Sequence, residues 1–312
     1  MRALIFGMAA MCMFLSLSIS SFASDAVAIM ETITRLQSDL KAFSSRQIET
    51  VDGLEFSVSV SDEHQLMQSQ ASFVLPTISF EFFSRELSTA ANWCNVLLLH
   101  FNVKSCVYRS QEERTEIDLY FGRKYYQEPP EASKIKFNFK SLLVDQLTRI
   151  ELTADSGPYG TSKFRYVLEA IPSEDGVFVV LQLSNHNGTA GRLVDLYLST
   201  LGRSKMGFSA AGKTVFGKTN YVRGQLGAAE RNVVRYMLAL HVSLTAADVS
   251  FFERAKLWFE ETEQFPKQLH EMSRNEYLKI KKREFRNQQL LQEAVSRGVD
   301  YVWPSSVKQN DK

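Results

Sequence analysis

The chain has 312 residues, with 36 basic and 35 acidic side chains and 45% hydrophobic residues. Its net charge of +1 excludes the strong basic excess on which nucleic-acid binding draws, and its length allows one large domain or two small ones. No stretch beyond the N-terminus is long and apolar enough to span a bilayer.

Met1-Arg2 gives a short positive start, Ala3 to Leu17 is almost wholly apolar, and Ser16 to Ala23 turns small and polar. That order is expected of a secretory signal, with cleavage after Ala23. The serines from 16 onward end the run before the roughly 20 apolar residues of a spanning helix. Cys12 sits in mid-run behind Met11, which does not suit a lipoprotein. Loss of residues 1–23 removes Arg2, the one charge in that segment, and leaves acids and bases balanced. The expected location is periplasmic or secreted. Two cysteines then remain, Cys94 and Cys106, and an oxidising compartment favours a disulfide between them. The alternative is two separately buried thiols. A zinc site is not expected, because His100 between them is a single further ligand.

Residues 25–45 carry Ile29, Ile33, Leu36 and Leu40 at helical spacing and are expected to pack on the outside of the domain. Leu54 to Val60 and Ser69 to Leu75 read as strands, the second ending at Pro76. Ile78 to Leu87 reads as helix, and Ser88 to Cys94 as a polar break leading into Val96–Phe101. Strands then follow in series: Val103–Arg109, Glu116–Phe121, Ile135–Phe139, Leu147–Ala154, Phe164–Ile171 and Gly176–Ser184. Short polar turns between them argue for an antiparallel sheet. Residues 185–222 are less regular, with a helix expected near Leu193–Leu201. A long helix begins near Gly224, with Leu226, Val233, Val234, Met237, Leu238, His241 and Leu244 on one broad face. Leu257, Trp258 and Phe259 belong to a following helix that Pro266 interrupts, and residues 268–296 form a third, very polar one.

This order resembles the START-like helix-grip superfamily, the lipid-transfer and polyketide-cyclase type. The residues that carry the resemblance are Ala71-Ser72-Phe73-Val74-Leu75-Pro76, Phe83, Ala91-Asn92-Trp93 and Val103-Lys104-Ser105-Cys106-Val107-Tyr108, within a span of about residues 69–247. The resemblance implies an α+β fold in which a curved antiparallel sheet grips a long C-terminal helix around an apolar cavity. Residues 24–68 would precede that domain as a helix and first strand, and 248–312 would extend it with extra helices. Met237, Leu238 and His241 would line the cavity and Trp93 would cap one mouth. The plain alternative is that these side chains are core. Glu230, Arg231 and Arg235 would form an ion network reaching inward, or else cover the rim as solvated charges.

The implied function is binding or carriage of a hydrophobic small molecule or lipid. Two alternatives are an enzyme of cyclase or hydrolase type, using His241, Arg235 or Glu230 for proton transfer, and an envelope interaction module that docks through its polar C-terminal helix. No nucleophile elbow, phosphate loop or helical histidine pair is present, so no catalytic residue, cofactor or metal is assigned. Glu116, Asp118 and Glu151 are expected to face solvent. Lys279, Lys281, Lys282, Arg283 and Arg286 form a basic cluster that suits peripheral contact with an anionic membrane, or else a plain solvated helix diluted by Glu276 and Glu284.

Overall fold

A computed structural model describes residues 24–43, 49–51, 53–111, 114–186, 205–213, 219–301 and 303. The expected signal segment and the helix expected near Leu193–Leu201 lie outside the described residues.

Period-two patterning is the local cause of the architecture. Alternating runs such as β6 and β7 become strands with an apolar face and a polar face, while β4 and β9 are buried on both faces over several residues. The strands are β1 (Glu49–Val51), β2 (Leu54–Glu63), β3 (Leu66–Pro76), β4 (Val103–Gln111), β5 (Arg114–Phe121), β6 (Ser133–Val144), β7 (Leu147–Ser156), β8 (Ser162–Ser173) and β9 (Gly176–His186). They form one sheet of order β1-β2-β3-β9-β8-β7-β6-β5-β4, every pairing antiparallel. After β3 the chain leaves the sheet, re-enters at the far edge as β4 and meanders back until β9 pairs with β3. Gly176 opens β9 at φ +149°, where a Cβ would stand 2.1 Å from the Leu75 carbonyl oxygen. A two-stranded sheet of β10 (Ala210–Lys213) and β11 (Thr219–Tyr221) lies in the irregular stretch.

Seven helices are present among the described residues: α1 (24–43), α2 (Phe80–Leu87), α3 (Ala90–Leu98), α4 (Gly224–Thr245), α5 (Phe251–Thr262), the single turn α6 (Pro266–Leu269) and α7 (Arg274–Ser296). Four of them start at a hydroxyl cap that accepts from a first-turn amide: Ser79, Thr89, Ser250 and Ser273. The Thr89 cap corrects one expectation. The break before Val96 is only Ser88-Thr89, and Trp93 and Cys94 lie inside α3.

The molecule is thus an α+β protein whose large antiparallel sheet and helices fit a helix-grip-like fold. Helix α4 lies against β2, β3 and β9, towards one side of the sheet. The helices after residue 247 share the central core, since Phe251, Trp258, Phe259, Leu269 and Tyr277 join the cluster built from β2 to β9 and α4. The opposite face of the sheet carries α1, where Ile33, Leu36 and Phe43 pack on Leu147, Ile171, Phe178 and Val180.

Helix α7 closes the β4 edge. An exposed strand edge is an aggregation hazard unless something covers it. Gln288 accepts from the Cys106 amide at 2.9 Å, and Gln292 both accepts from the Tyr108 amide and donates to its carbonyl. Two turns before Gln288, Lys281 donates to the His100 and Val103 carbonyls. Glu284 lies between Lys281 and Lys104, bonding them at 2.7 and 2.8 Å, with all three side chains fully buried. Lys281 is therefore a correction to the expected surface cluster. The solvated remainder is Lys279, Lys282, Arg283 and Arg286.

Candidate functional site

The turn that joins α3 to β4 is bracketed by the Cys94–Cys106 disulfide, whose Cα atoms are 5.0 Å apart. His100 stands in this turn with 1% exposure. Its Nδ1 accepts from the Asn102 amide at 3.1 Å, so in the neutral ring the proton sits on Nε2. Asn102 is bonded in turn to Gly122 at the end of β5, through its side chain and its backbone. The imidazole is thus held by local backbone geometry.

His100 belongs to a row of rings. Its ring stacks on Tyr236 of α4 at 4.7 Å and on Phe121 at 6.5 Å. From Tyr236 the row continues to Tyr166 at 5.9 Å, then to Phe137 at 5.4 Å and Phe164 at 6.4 Å. Tyr166 and Phe164, two apart on β8, share the inner face of the sheet with Phe137 of β6. Tyr166, Phe164 and Phe121 stay partly exposed. Phe121 also lines an open concavity of about 420 Å³, with Gly122, Arg123, Tyr125, Gln127 and Glu131.

Two polar atoms in the middle of this row are buried: His100 Nε2, which makes no hydrogen bond among the described residues, and the Tyr236 hydroxyl, which lies close to the Tyr166 hydroxyl. Buried polar groups are nearly always satisfied, so each such exception calls for an explanation. Burial, reinforced by the positive charges of Arg235, Lys281, Lys124 and Lys104, pushes the His100 pKa well below its usual value. Burial likewise raises the Tyr236 hydroxyl, with Tyr166 close enough to add to the rise. Burial pushes Tyr166 up to about 12, with Tyr236 pulling the other way. All three groups are uncharged at neutral pH, and the four cations act on His100.

Beside the row lies an ionic cluster. Glu271, in the α6–α7 connection, meets Arg235 at 2.5 Å, Lys124 at 2.5 Å and Lys205 at 2.7 Å. Burial opposes its ionisation, yet the charges of Arg235 and Lys124 and the lysine hydrogen bonds hold its pKa down at about 2. A carboxylate lowered from 4.5 to about 2 contributes stability that is present above pH 4.5 and lost as pH falls through 2. His100 works earlier on the acid side, because the unfolded ring takes its proton near 6.5 and the folded ring does not. Acid unfolding is therefore expected in two stages, a decline below about pH 6.5 and a steeper one below about 4.5. Urea melts at stepped pH check this: Glu271→Gln should flatten the second stage and keep the first, and His100→Asn the reverse.

The residues singled out from sequence do not assemble into one site. Trp93 is buried and donates from Nε1 to the Leu87 carbonyl at 2.9 Å, tying α3 to α2. Met237 and Leu238 have 0% exposure and pack within the central hydrophobic cluster. His241 is buried and bonded through Nδ1 to Glu261 at 2.8 Å. Glu230 accepts from the Phe208 and Ser209 amides, at 2.6 and 3.0 Å, instead of pairing with an arginine. Arg231 donates to the Lys205 and Met206 carbonyls, and Arg235 to Glu271 and the Leu269 carbonyl. Asp118 is also a correction, being buried on the strand under Arg109 and Lys134. Sequence reading missed Tyr236 and Tyr166 and considered His100 only as a metal ligand. Among the described residues no group of three or more His, Cys, Asp or Glu is placed to hold a metal.

No family model and no curated protein matches the chain. Among solved structures, a Thermus thermophilus protein is 15% identical, with a TM-score of 0.37, covering 58% of this chain and 99% of its own. A Rhodobacter sphaeroides protein is 12% identical, with a TM-score of 0.30, covering 62% of this chain and 100% of its own. Neither similarity speaks to chemistry.

Proposed function

We propose that this protein is an exported binding or carrier protein for a hydrophobic small molecule or lipid, within the START-like helix-grip superfamily that its sequence resembles. The guest is held along the His100–Tyr236 ring row. One observation carries the reading: the uncharged, buried His100 Nε2 lies without a partner among aromatic rings, beside the Tyr236 and Tyr166 hydroxyls, and ligand sites typically combine apolar walls with a few convergent polar groups. An aromatic or aliphatic guest would gain from burial on Tyr166, Phe137 and Phe164. His100 Nε2–H would donate to an oxygen of the guest, and the Tyr236 hydroxyl would donate or accept. The positive field from Arg235, Lys104, Lys124 and Lys281 favours an electron-rich oxygen, such as a carbonyl, phenolate or carboxylate, and disfavours an amine. Export is supported by the N-terminal pattern and by a disulfide that an oxidising compartment would maintain.

Native mass spectrometry tests this reading on protein extracted gently from cells that export it. Wild type is expected to carry an added small-molecule mass that Met237→Leu retains and that His100→Ala with Tyr236→Phe loses. A bare polypeptide mass for wild type, or equal retention by the double variant, would overturn it.

A further inference from the structure

We propose that the solvent face of α7 docks the protein on an anionic lipid surface, an interaction independent of any guest in the ring row. Lys279, Lys282, Arg283 and Arg286 fall at i, i+3, i+4 and i+7 and so share one face. All four are exposed, and none forms a salt bridge among the described residues, whereas other exposed basic side chains such as Arg114, Lys136, Arg165, Lys256 and Arg274 do. The sequence between Ser273 and Leu290 offers only Glu276 and Glu284 as neutralising acids. Glu284 is consumed on the buried side by Lys104 and Lys281. The stripe therefore keeps a net positive charge in a protein whose overall charge is balanced.

Two further features suit a membrane. The face is rigid, because the opposite side of α7 is riveted to β4 by Lys281, Glu284, Gln288 and Gln292. An aromatic loop flanks it: Arg283 lies 3.4 Å over the Tyr126 ring and Asn287 bonds the Tyr126 hydroxyl. The adjoining Tyr125 is 51% exposed and accepts from Arg123 at 2.9 Å. Basic side chains beside an exposed tyrosine match the composition of a membrane–water interface. Nucleic acid is disfavoured by the balanced overall charge.

Co-sedimentation with phosphatidylcholine vesicles, and with equimolar phosphatidylcholine–phosphatidylglycerol vesicles, tests the proposal on the whole mature chain. Each basic residue near such a surface is worth roughly fivefold in affinity. Wild type should bind the anionic vesicles in low salt, release in high salt, and ignore phosphatidylcholine alone. Lys279→Gln with Lys282→Gln and Arg286→Gln should weaken binding by about a hundredfold at an unchanged melting temperature. Adding Arg283→Gln should abolish it. Wild type that fails to bind the anionic vesicles, or a folded triple variant that binds as wild type does, would overturn the proposal. Loss of guest binding in His100 or Tyr236 variants should leave vesicle binding intact.

Discussion

Replacing Glu284 with alanine is expected to destabilise the protein by about 3–5 kcal/mol, the cost of leaving buried charge without its counter-ion. Glu284 stands between two ammonium groups that water does not reach, bonded to Lys104 at 2.8 Å and to Lys281 at 2.7 Å. Burial lowers the Lys104 pKa, and it lowers Lys281 to about 8, against the opposing pull of Glu284. Without the carboxylate the two cations face each other alone, and α7 loses its grip on the β4 edge. Urea unfolding at neutral pH measures the loss. Combining Glu284→Met with Lys281→Met and Lys104→Met should recover much of it, because apolar residues of similar volume can replace a buried ionic group at little net cost. A loss below about 1 kcal/mol for Glu284→Ala would mean that the triad is hydrated in solution.

The second large effect belongs to the disulfide. Cys94 and Cys106 are 12 apart in sequence, and closing a loop of that size restrains the unfolded chain by about 3 kcal/mol. Cys94→Ala with Cys106→Ala should lower the melting temperature by roughly 5 °C at this chain length. The bridge also encloses the turn that holds His100, so the same variant should weaken guest binding as well as stability. Differential scanning calorimetry gives the first quantity, and an unchanged melting temperature would place the restraint elsewhere.

How legible these features were depended on range. A strand of strict alternation, Ile135 to Phe139, could be read because period two is a local property, and Gly176 to Ser184 because a short β-branched apolar run is one too. The cysteine pair was readable because two cysteines remained in a region expected to be exported. The site was not readable in the same way. Arg235, Tyr236 and Met237 are consecutive on α4, yet they face an ion cluster, a ring stack and the filled core. A broad apolar face does not specify which neighbour each side chain will meet. Lys281 and Glu284 read as an ordinary i, i+3 surface pair, and only the arrival of the β4 edge, with Lys104 on it, makes them interior. Glu271 lies in a short connection that carries no motif. Its three cations come from α4 and from connections 66 and 147 residues away in sequence. His100 attracted notice only as a metal ligand, because its stacking partners Phe121 and Tyr236 are set by tertiary packing.

The central claim is that a guest's oxygen sits against His100 and Tyr236. Its most direct test is the binding of 1-anilinonaphthalene-8-sulfonate, an aromatic probe with an anionic oxygen group, measured by fluorescence titration. Tyr236→Phe keeps the ring and deletes one hydrogen bond, so affinity should fall by about tenfold, equivalent to roughly 1.4 kcal/mol, while Met237→Leu leaves it unchanged. Equal affinity for wild type and Tyr236→Phe would contradict the claim.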